Sequence, residues 1–257
     1  MYIDTHSHLY VEEFAADREQ VIQRAREARV EKIILPDIDS QTRFQMLELC
    51  DAYPDLLFPL IGLHPTSVNA DYKKELHELE HQLGLRKYYG IGECGIDLYW
   101  DKTYFKEQVK VFEYQMGIAR ELNLPIIIHA RESLEEIFSS LKKYPYITGI
   151  FHCFSGNTEQ AKQAIDMGFL LGIGGVVTFK NTQLDKVLLA NGLSSIVLET
   201  DSPYLSPVPY RGKRNESSYI PLIAQKIADI LKEDLKKIEK ITTQNAMNLF
   251  TLHTEIV

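Results

Sequence analysis

Five of the eight histidines in this 257-residue chain stand where apolar runs end, with carboxylates beside them. His6 and His8 lie two apart in Asp4-Thr5-His6-Ser7-His8. On an extended segment, side chains at i and i+2 point to one side, so both imidazoles can reach one ion. Glu93 and Asp201, which close later runs, complete an N₂O₂ set. His129 and His152, at the ends of neighbouring runs, can serve a second ion with Glu93 bridging the two. Imidazole and carboxylate without thiolate suit Zn²⁺, Mn²⁺ or Mg²⁺ and argue against a closed structural thiolate site. Two such ions about 3.5–4 Å apart could activate water and stabilise a developing oxyanion. A lone His-x-His would be a modest signal, but six nitrogen and oxygen donors at five run ends are hard to explain as packing.

Positioning these groups requires a particular set of elements. Short apolar runs, without polar alternation, occur at Tyr2–Asp4, Lys32–Leu35, Leu57–Ile61, Tyr88–Gly92, Pro125–His129, Thr148–Phe151, Phe169–Gly172 and Ser195–Leu198. They read as parallel strands covered on both faces. Helical stretches lie between them at Asp17–Arg29, Thr42–Tyr53, Tyr104–Leu122, Ser133–Lys143 and Thr158–Met167, the last with Asn157 as its cap. Eight strand–helix units in about 250 residues predict an α/β fold, a single (β/α)₈ TIM barrel, in which the chemistry sits at the C-terminal strand ends. An open doubly wound sheet is the competing arrangement, since strand count alone does not close a barrel. Segment Ser202–Ser218 reads as a long loop after strand eight, and Ser217–Phe250 as two C-terminal helices. No Ser/Gly-rich linker or charge block divides the chain, so residues 1–257 are expected to form one domain.

Composition narrows the classes. Hydrophobic residues make up 45% and charged residues 25%, which excludes disorder and collagen-like repetition. No apolar run approaches a membrane span, and the N-terminus has no signal-peptide pattern. Cys50, Cys94 and Cys153 are odd in number and form no Cys-x-x-Cys pair, so a reducing, cytoplasmic setting is expected. The formal charge of −8 does not attract polyanions globally; any nucleic-acid contact must come from local groups.

In combination, these motifs resemble the TatD family of metal-dependent hydrolases within the amidohydrolase superfamily. The resemblance rests on Ile3-Asp4-Thr5-His6-Ser7-His8, Gly62-Leu63-His64-Pro65, Gly90-Ile91-Gly92-Glu93-Cys94-Gly95-Ile96-Asp97, Ile128-His129-Ala130-Arg131, Phe151-His152-Cys153-Phe154-Ser155-Gly156 and Leu198-Glu199-Thr200-Asp201-Ser202-Pro203-Tyr204-Leu205, with Arg211-Gly212-Lys213-Arg214-Asn215-Glu216 as a late motif. It covers essentially the whole chain. It implies a TIM barrel, a divalent-metal-dependent hydrolase commonly described as a deoxyribonuclease, and Asp201 as ligand and proton acceptor. Many members carry Glu-Pro after the late Arg-Asn. This chain has Glu216-Ser217-Ser218 instead, which predicts a looser approach to the following helix.

The catalytic candidates are therefore Asp201, Glu93 and His64. The last falls outside the six-ligand set and is expected to contact substrate phosphate or the leaving group. Arg131, two residues past a ligand, could fork onto a phosphate. Arg211, Lys213 and Arg214 read as a compact basic patch for backbone contacts. Tyr99, Trp100 and Tyr104 could stack on a base, and Gly172-Ile173-Gly174-Gly175 could approach a phosphate through backbone N–H groups. Two decoys fail on context. Gly90–Gly95 matches GxGxxG without a following helix. His77-Glu78-Leu79-Glu80-His81 matches HExxH on a helix whose Leu76, Leu79 and Leu83 turn inward and leave both histidines outside. The expected activity is two-metal phosphodiester hydrolysis of single-stranded or frayed DNA ends. The alternatives are a hydrolase of a small-molecule amide, lactone or phosphoester, a hydrolase of an aminoacyl-RNA ester, or a non-catalytic metal-stabilised binding protein.

Overall fold

A computed structural model of the chain describes residues 1–252; the last five residues of the expected domain lie outside them. In chain order the elements are β1 (Tyr2–Asp4), α1 (Arg18–Glu27), β2 (Val30–Leu35), α2 (Ser40–Ala52), β3 (Leu57–Pro59), α3 (Tyr72–Leu83), β4 (Ile91–Asp97), α4 (Phe105–Leu122) and β5 (Ile126–Arg131). They continue with α5 (Leu134–Leu141), β6 (Gly149–Phe151), α6 (Thr158–Asp166), β7 (Phe169–Ile173), α7 (Leu184–Asn191), β8 (Ile196–Leu198), α8 (Ile220–Leu231) and α9 (Leu235–Phe250). Asn157 and Gln160 form a reciprocal capping box at the start of α6. Asn123 closes α4 in the left-handed conformation.

The strands run parallel in sequential order, as sets β1–β3 and β4–β8. An Ile61–Ile91 bridge joins the sets on one side and a Ser7–Ser202 bridge on the other. Thr5 N–H donates to Leu198 O at 3.0 Å across the second seam. The sheet is therefore closed, a (β/α)₈ barrel.

The period-two pleat sorts the apolar side chains. Ile34, Phe58, Leu60, Ile127, Ile150 and Val197 fill the barrel interior, floored by Ala246 and Phe250 of α9. Their chain neighbours Ile33, Leu35, Ile126, Ile128, Phe151, Ile196 and Leu198 face the helical layer. This parity aims the site: His129 lies two past Ile127, His152 two past Ile150, and Glu199 two past Val197, so all three follow the inward row.

Strand β4 departs from expectation. It runs Ile91–Asp97 rather than Tyr88–Gly92, which puts Glu93 inside the strand instead of at its end. Ile91, Cys94 and Ile96 all face the helices, and the register against β5 shifts between Ile91 and Cys94. That irregularity turns Glu93 inward, where strict alternation from Ile91 would turn it out. Glycine spacing permits it: a Cβ on Gly95, at φ +148°, would fall 2.0 Å from His129 O. The GxGxxG-like run thus serves close strand packing.

The start of α8 is also tighter than expected. Pro221 stands in its first turn, and Ser218 Oγ donates to Glu216 Oε1 at 2.7 Å. Arg24 grips Glu216 at 2.6 Å, so an ion pair and a shifted proline hold the segment the missing Glu-Pro was expected to loosen.

Candidate metal centre and active site

The six expected ligands converge at the C-terminal mouth of the barrel. Glu93 is their hub, and its two oxygens face different histidines. Oε2 lies 3.1 Å from His6 Nε2 and 3.5 Å from His8 Nε2. Oε1 lies 2.8 Å from His129 Nδ1 and 3.2 Å from His152 Nε2. Asp201 Oδ1 flanks the first group, 3.7 and 3.8 Å from His6 and His8 Nε2. The His6 and His152 rings stack at 3.8 Å, which brings the two groups together.

Hydrogen bonds on the outer side of the His8 and His129 rings fix which nitrogen faces inward. Tyr10 OH donates to Pro36 O at 2.6 Å, so it accepts from His8 Nδ1 at 3.0 Å and leaves a lone pair on His8 Nε2. His129 Nε2 donates to Asp97 Oδ2 at 2.8 Å, leaving the lone pair on Nδ1. His152 turns Nδ1 toward Glu199 Oε1 at 3.4 Å. Acceptor lone pairs thus meet carboxylate oxygens with nothing between them but a proton or a cation. That is the donor set and outer support a divalent cation requires.

Charge follows the same logic. Burial pushes Glu93 up, but the surrounding imidazoles outweigh it and hold its carboxyl well below the ordinary range. Burial pushes His152 down, yet Glu93 and Glu199 hold it well above its ordinary value, and Asp97 with Glu93 raise His129 against the same burial. His6 is driven well down by burial and by neighbouring His152. Asp201, in the left-handed region at φ +55°, is pushed by burial up to about 6.

His64 stands beside this set, its ligand atom within 4.8 Å of those of Glu93 and His129. Its Nδ1 accepts Thr66 N–H at 3.2 Å, which places the proton of the neutral ring on Nε2. Nε2 lies 3.3 Å from both Glu93 Oε1 and His129 Nδ1, and burial lowers its pKa. It is a hydrogen-bond donor at the rim.

The cluster opens into a cavity of about 670 Å³ whose wall includes His64, Asp201, Tyr204, Arg131 and Trp100. The expected basic patch does not reach this wall. Arg214 forms a two-bond pair with Asp17 at 2.7 and 2.8 Å and donates to Glu13 O. Arg211 lies over Phe179 at 3.6 Å, and Lys213 lines a separate groove beside Tyr210. Two glycines of the Gly172–Gly175 run are also spoken for. A Cβ on Gly172 would meet Glu199 Oε2 at 2.2 Å, and one on Gly175 would meet Leu205 O at 2.2 Å, so protein atoms occupy the room left for a phosphate. His77 and His81 are exposed on α3, away from the site.

Sequence reasoning gave no role to Asp97, Glu199, Tyr10 or Asp4. Asp97 and Glu199 back His129 and His152 as described. Asp4 is buried; its Oδ1 accepts His6 N–H and Thr200 N–H, and its Oδ2 accepts Thr200 Oγ1–H at 2.6 Å. It thereby ties β1 to the segment bearing Asp201. The two-residue parity from Val197 would have found Glu199; the others needed tertiary contacts.

A (β/α)₈ barrel with buried histidines and carboxylates gathered at its C-terminal mouth has the architecture of a metal-dependent hydrolase. Comparison with known proteins gives the family. The sequence profile described as TatD related DNase matches residues 3–251. The chain is 38% identical over 256 residues to the uncharacterized metal-dependent hydrolase YabD of Bacillus subtilis (strain 168), covering 98% of this chain and 100% of that protein. It is 32% identical over 253 residues to the 3'-5' ssDNA/RNA exonuclease TatD of Pectobacterium parmentieri (strain WPP163), covering 93% and 95%. The crystal structure of YJJV, a TatD homologue from Escherichia coli K12, superposes with a TM-score of 0.90 at 29% identity, covering 97% and 98%. The chain belongs to the TatD family and is a metal-dependent hydrolase. Among the described residues no helix is long and apolar enough to cross a membrane.

Proposed function

We propose that this chain, as one catalytic domain, is a two-cation phosphodiesterase acting on single-stranded or frayed DNA ends. The observation that carries the reading is Glu93, whose two oxygens address two separate histidine groups, as a carboxylate shared between two ions requires. His6, His8 and Asp201 would hold one cation, His129 and His152 the other, with Glu93 common to both; Mg²⁺, Mn²⁺ and Zn²⁺ all suit these donors. When bound, such cations lower the pKa of water and neutralise charge on phosphoryl oxygens.

The chain's own groups supply the proton traffic. Asp201 accepts the proton of the attacking water; burial raises its carboxyl above the ordinary range when no cation is bound. As the water oxygen bonds to phosphorus, the opposite P–O ester bond breaks, and the departing oxygen accepts a hydrogen bond from His64 Nε2–H and takes its proton from solvent water. Arg131, exposed on the cavity wall, meets a non-bridging phosphate oxygen. The relatives named as ssDNA/RNA exonucleases support a nucleic-acid substrate. The acidic surface, −8 overall, favours a short strand end over a long duplex footprint.

The test is cleavage of 5′- and 3′-labelled single-stranded DNA by metal-stripped protein resupplied with Mg²⁺, Mn²⁺ or Zn²⁺. A metal-dependent ladder that Glu93→Ala abolishes is the expected result. No cleavage with any ion, in protein that demonstrably binds metal, rejects the assignment.

A further inference from the structure

The segment after β4 hangs from the carboxylate that orients His129. Asp97 Oδ2 receives His129 Nε2–H at 2.8 Å, while its Oδ1 receives the backbone N–H groups of Tyr99 and Trp100 at 2.9 and 3.1 Å. Asp97 is fully buried, so one fixed group sets both the ligand ring and the aromatic pair at the mouth.

That pair is unusually bare. Trp100 is 69% exposed and Tyr99 50% exposed, although large aromatic side chains ordinarily bury most of their surface. Their rings meet edge to face at 5.0 Å, a contact that leaves indole surface open to the cavity it lines. Arg131 is held against them by stacking alone: its guanidinium lies 3.8 Å from the Tyr99 ring centre and 5.3 Å from that of Trp100. Among the described residues its side chain has no ion pair and no hydrogen bond. Stacking fixes the cation while using none of its N–H donors. In a chain whose other cavity-side basic residues are paired or turned away, an aromatic platform with an unspent guanidinium matches one chemistry, a flat base joined to a phosphate.

We propose that Trp100, Tyr99 and Arg131 form a nucleotide-binding subsite that takes one base of a single strand on the indole and its phosphate on the guanidinium. This deepens the phosphodiesterase reading and rests on it for the identity of the substrate. A duplex keeps its bases stacked on one another, so the subsite selects strands whose bases are free.

Trp100 is the only tryptophan in the chain, so its emission reports the subsite directly. Metal-stripped protein, in which no hydrolysis intrudes, is titrated with a thymidine pentanucleotide and with an abasic pentamer of the same backbone, with binding followed separately by anisotropy of end-labelled strands. The expected result is saturable quenching by the base-bearing strand, with an affinity about tenfold above that of the abasic one. Trp100→Ala removes that advantage and Trp100→Phe restores most of it; Arg131→Ala weakens both strands. Unchanged melting temperatures exclude a folding effect. Binding without any change in emission, or a Trp100→Ala affinity within twofold of the parent, overturns the subsite. Absence of strand binding to the parent overturns it too. Failure of the metal-loaded parent to cleave any strand, with quenching intact, rejects the hydrolytic reading alone.

Discussion

At the scale of single residues, the site depends on acceptors being aimed at acceptors. His8, His129 and His152 each have the outer nitrogen committed, to Tyr10, Asp97 and Glu199, and the inner one turned on Glu93. Removing an outer partner should therefore weaken metal binding without unfolding the barrel. For Asp97→Asn the expected loss is about 10- to 100-fold in metal affinity by calorimetric titration. Protons and cations also compete for the same space. His152 and His129 are held above their ordinary values in the metal-free protein, a contribution complete below about pH 6.5 and lost as pH rises through the raised values. Metal does not suffer that loss, because it replaces the protons. The rise in melting temperature on adding Mn²⁺ should accordingly be larger at pH 8 than at pH 6, and binding should release protons. Scanning calorimetry at the two values checks the sign.

Among the elements, β4 is the one whose local sequence conceals its structure. His129 and His152 were legible because each follows an inward-facing isoleucine by two residues in an otherwise regular strand. The run Ile91-Gly92-Glu93-Cys94-Gly95 has no such rhythm. Its irregular register exists only through contact with β5, so a strand ending at Gly92 was the natural reading. The same limit applied to the late loop. Arg214 looked available because Asp17, its partner 197 residues away in sequence, declares nothing locally. Gly95 carries the sharpest consequence of this packing. Gly95→Ala forces a methyl group onto His129 O and should cost about 1–3 kcal/mol or more by urea unfolding. The variant's affinity for metal should fall as well, since the strand bearing His129 must move.

For the whole molecule, the proposed action on a polyanion has to be reconciled with an acidic chain. Its 28 basic against 36 acidic side chains give a net −8, and the cavity wall offers Arg131 as a cation without a carboxylate partner. Binding of a single strand to the metal-free protein should therefore depend weakly on salt, with a log–log slope of roughly −0.7 for one phosphate contact. A steep slope would mean that Arg211 and Lys213 join the footprint after all. The strand–helix alternation and the donors at the barrel mouth were readable from the placement of polar residues after apolar runs; closure was not, because it rests on the Ile61–Ile91 and Ser7–Ser202 seams. The division of basic residues between the cavity and the flanks was not, because it is settled by ion pairs between distant segments.

The central claim is that Glu93 is shared by two cations whose presence permits phosphodiester hydrolysis. Its most direct test is one titration of metal-stripped protein with Mn²⁺, recording bound ions by equilibrium dialysis and, in the same samples, cleavage of end-labelled single-stranded DNA. The account predicts two bound ions per chain, cleavage that appears with their binding, and loss of both in Glu93→Ala. Cleavage that is full in the stripped protein, or that survives unchanged in Glu93→Ala, would contradict it.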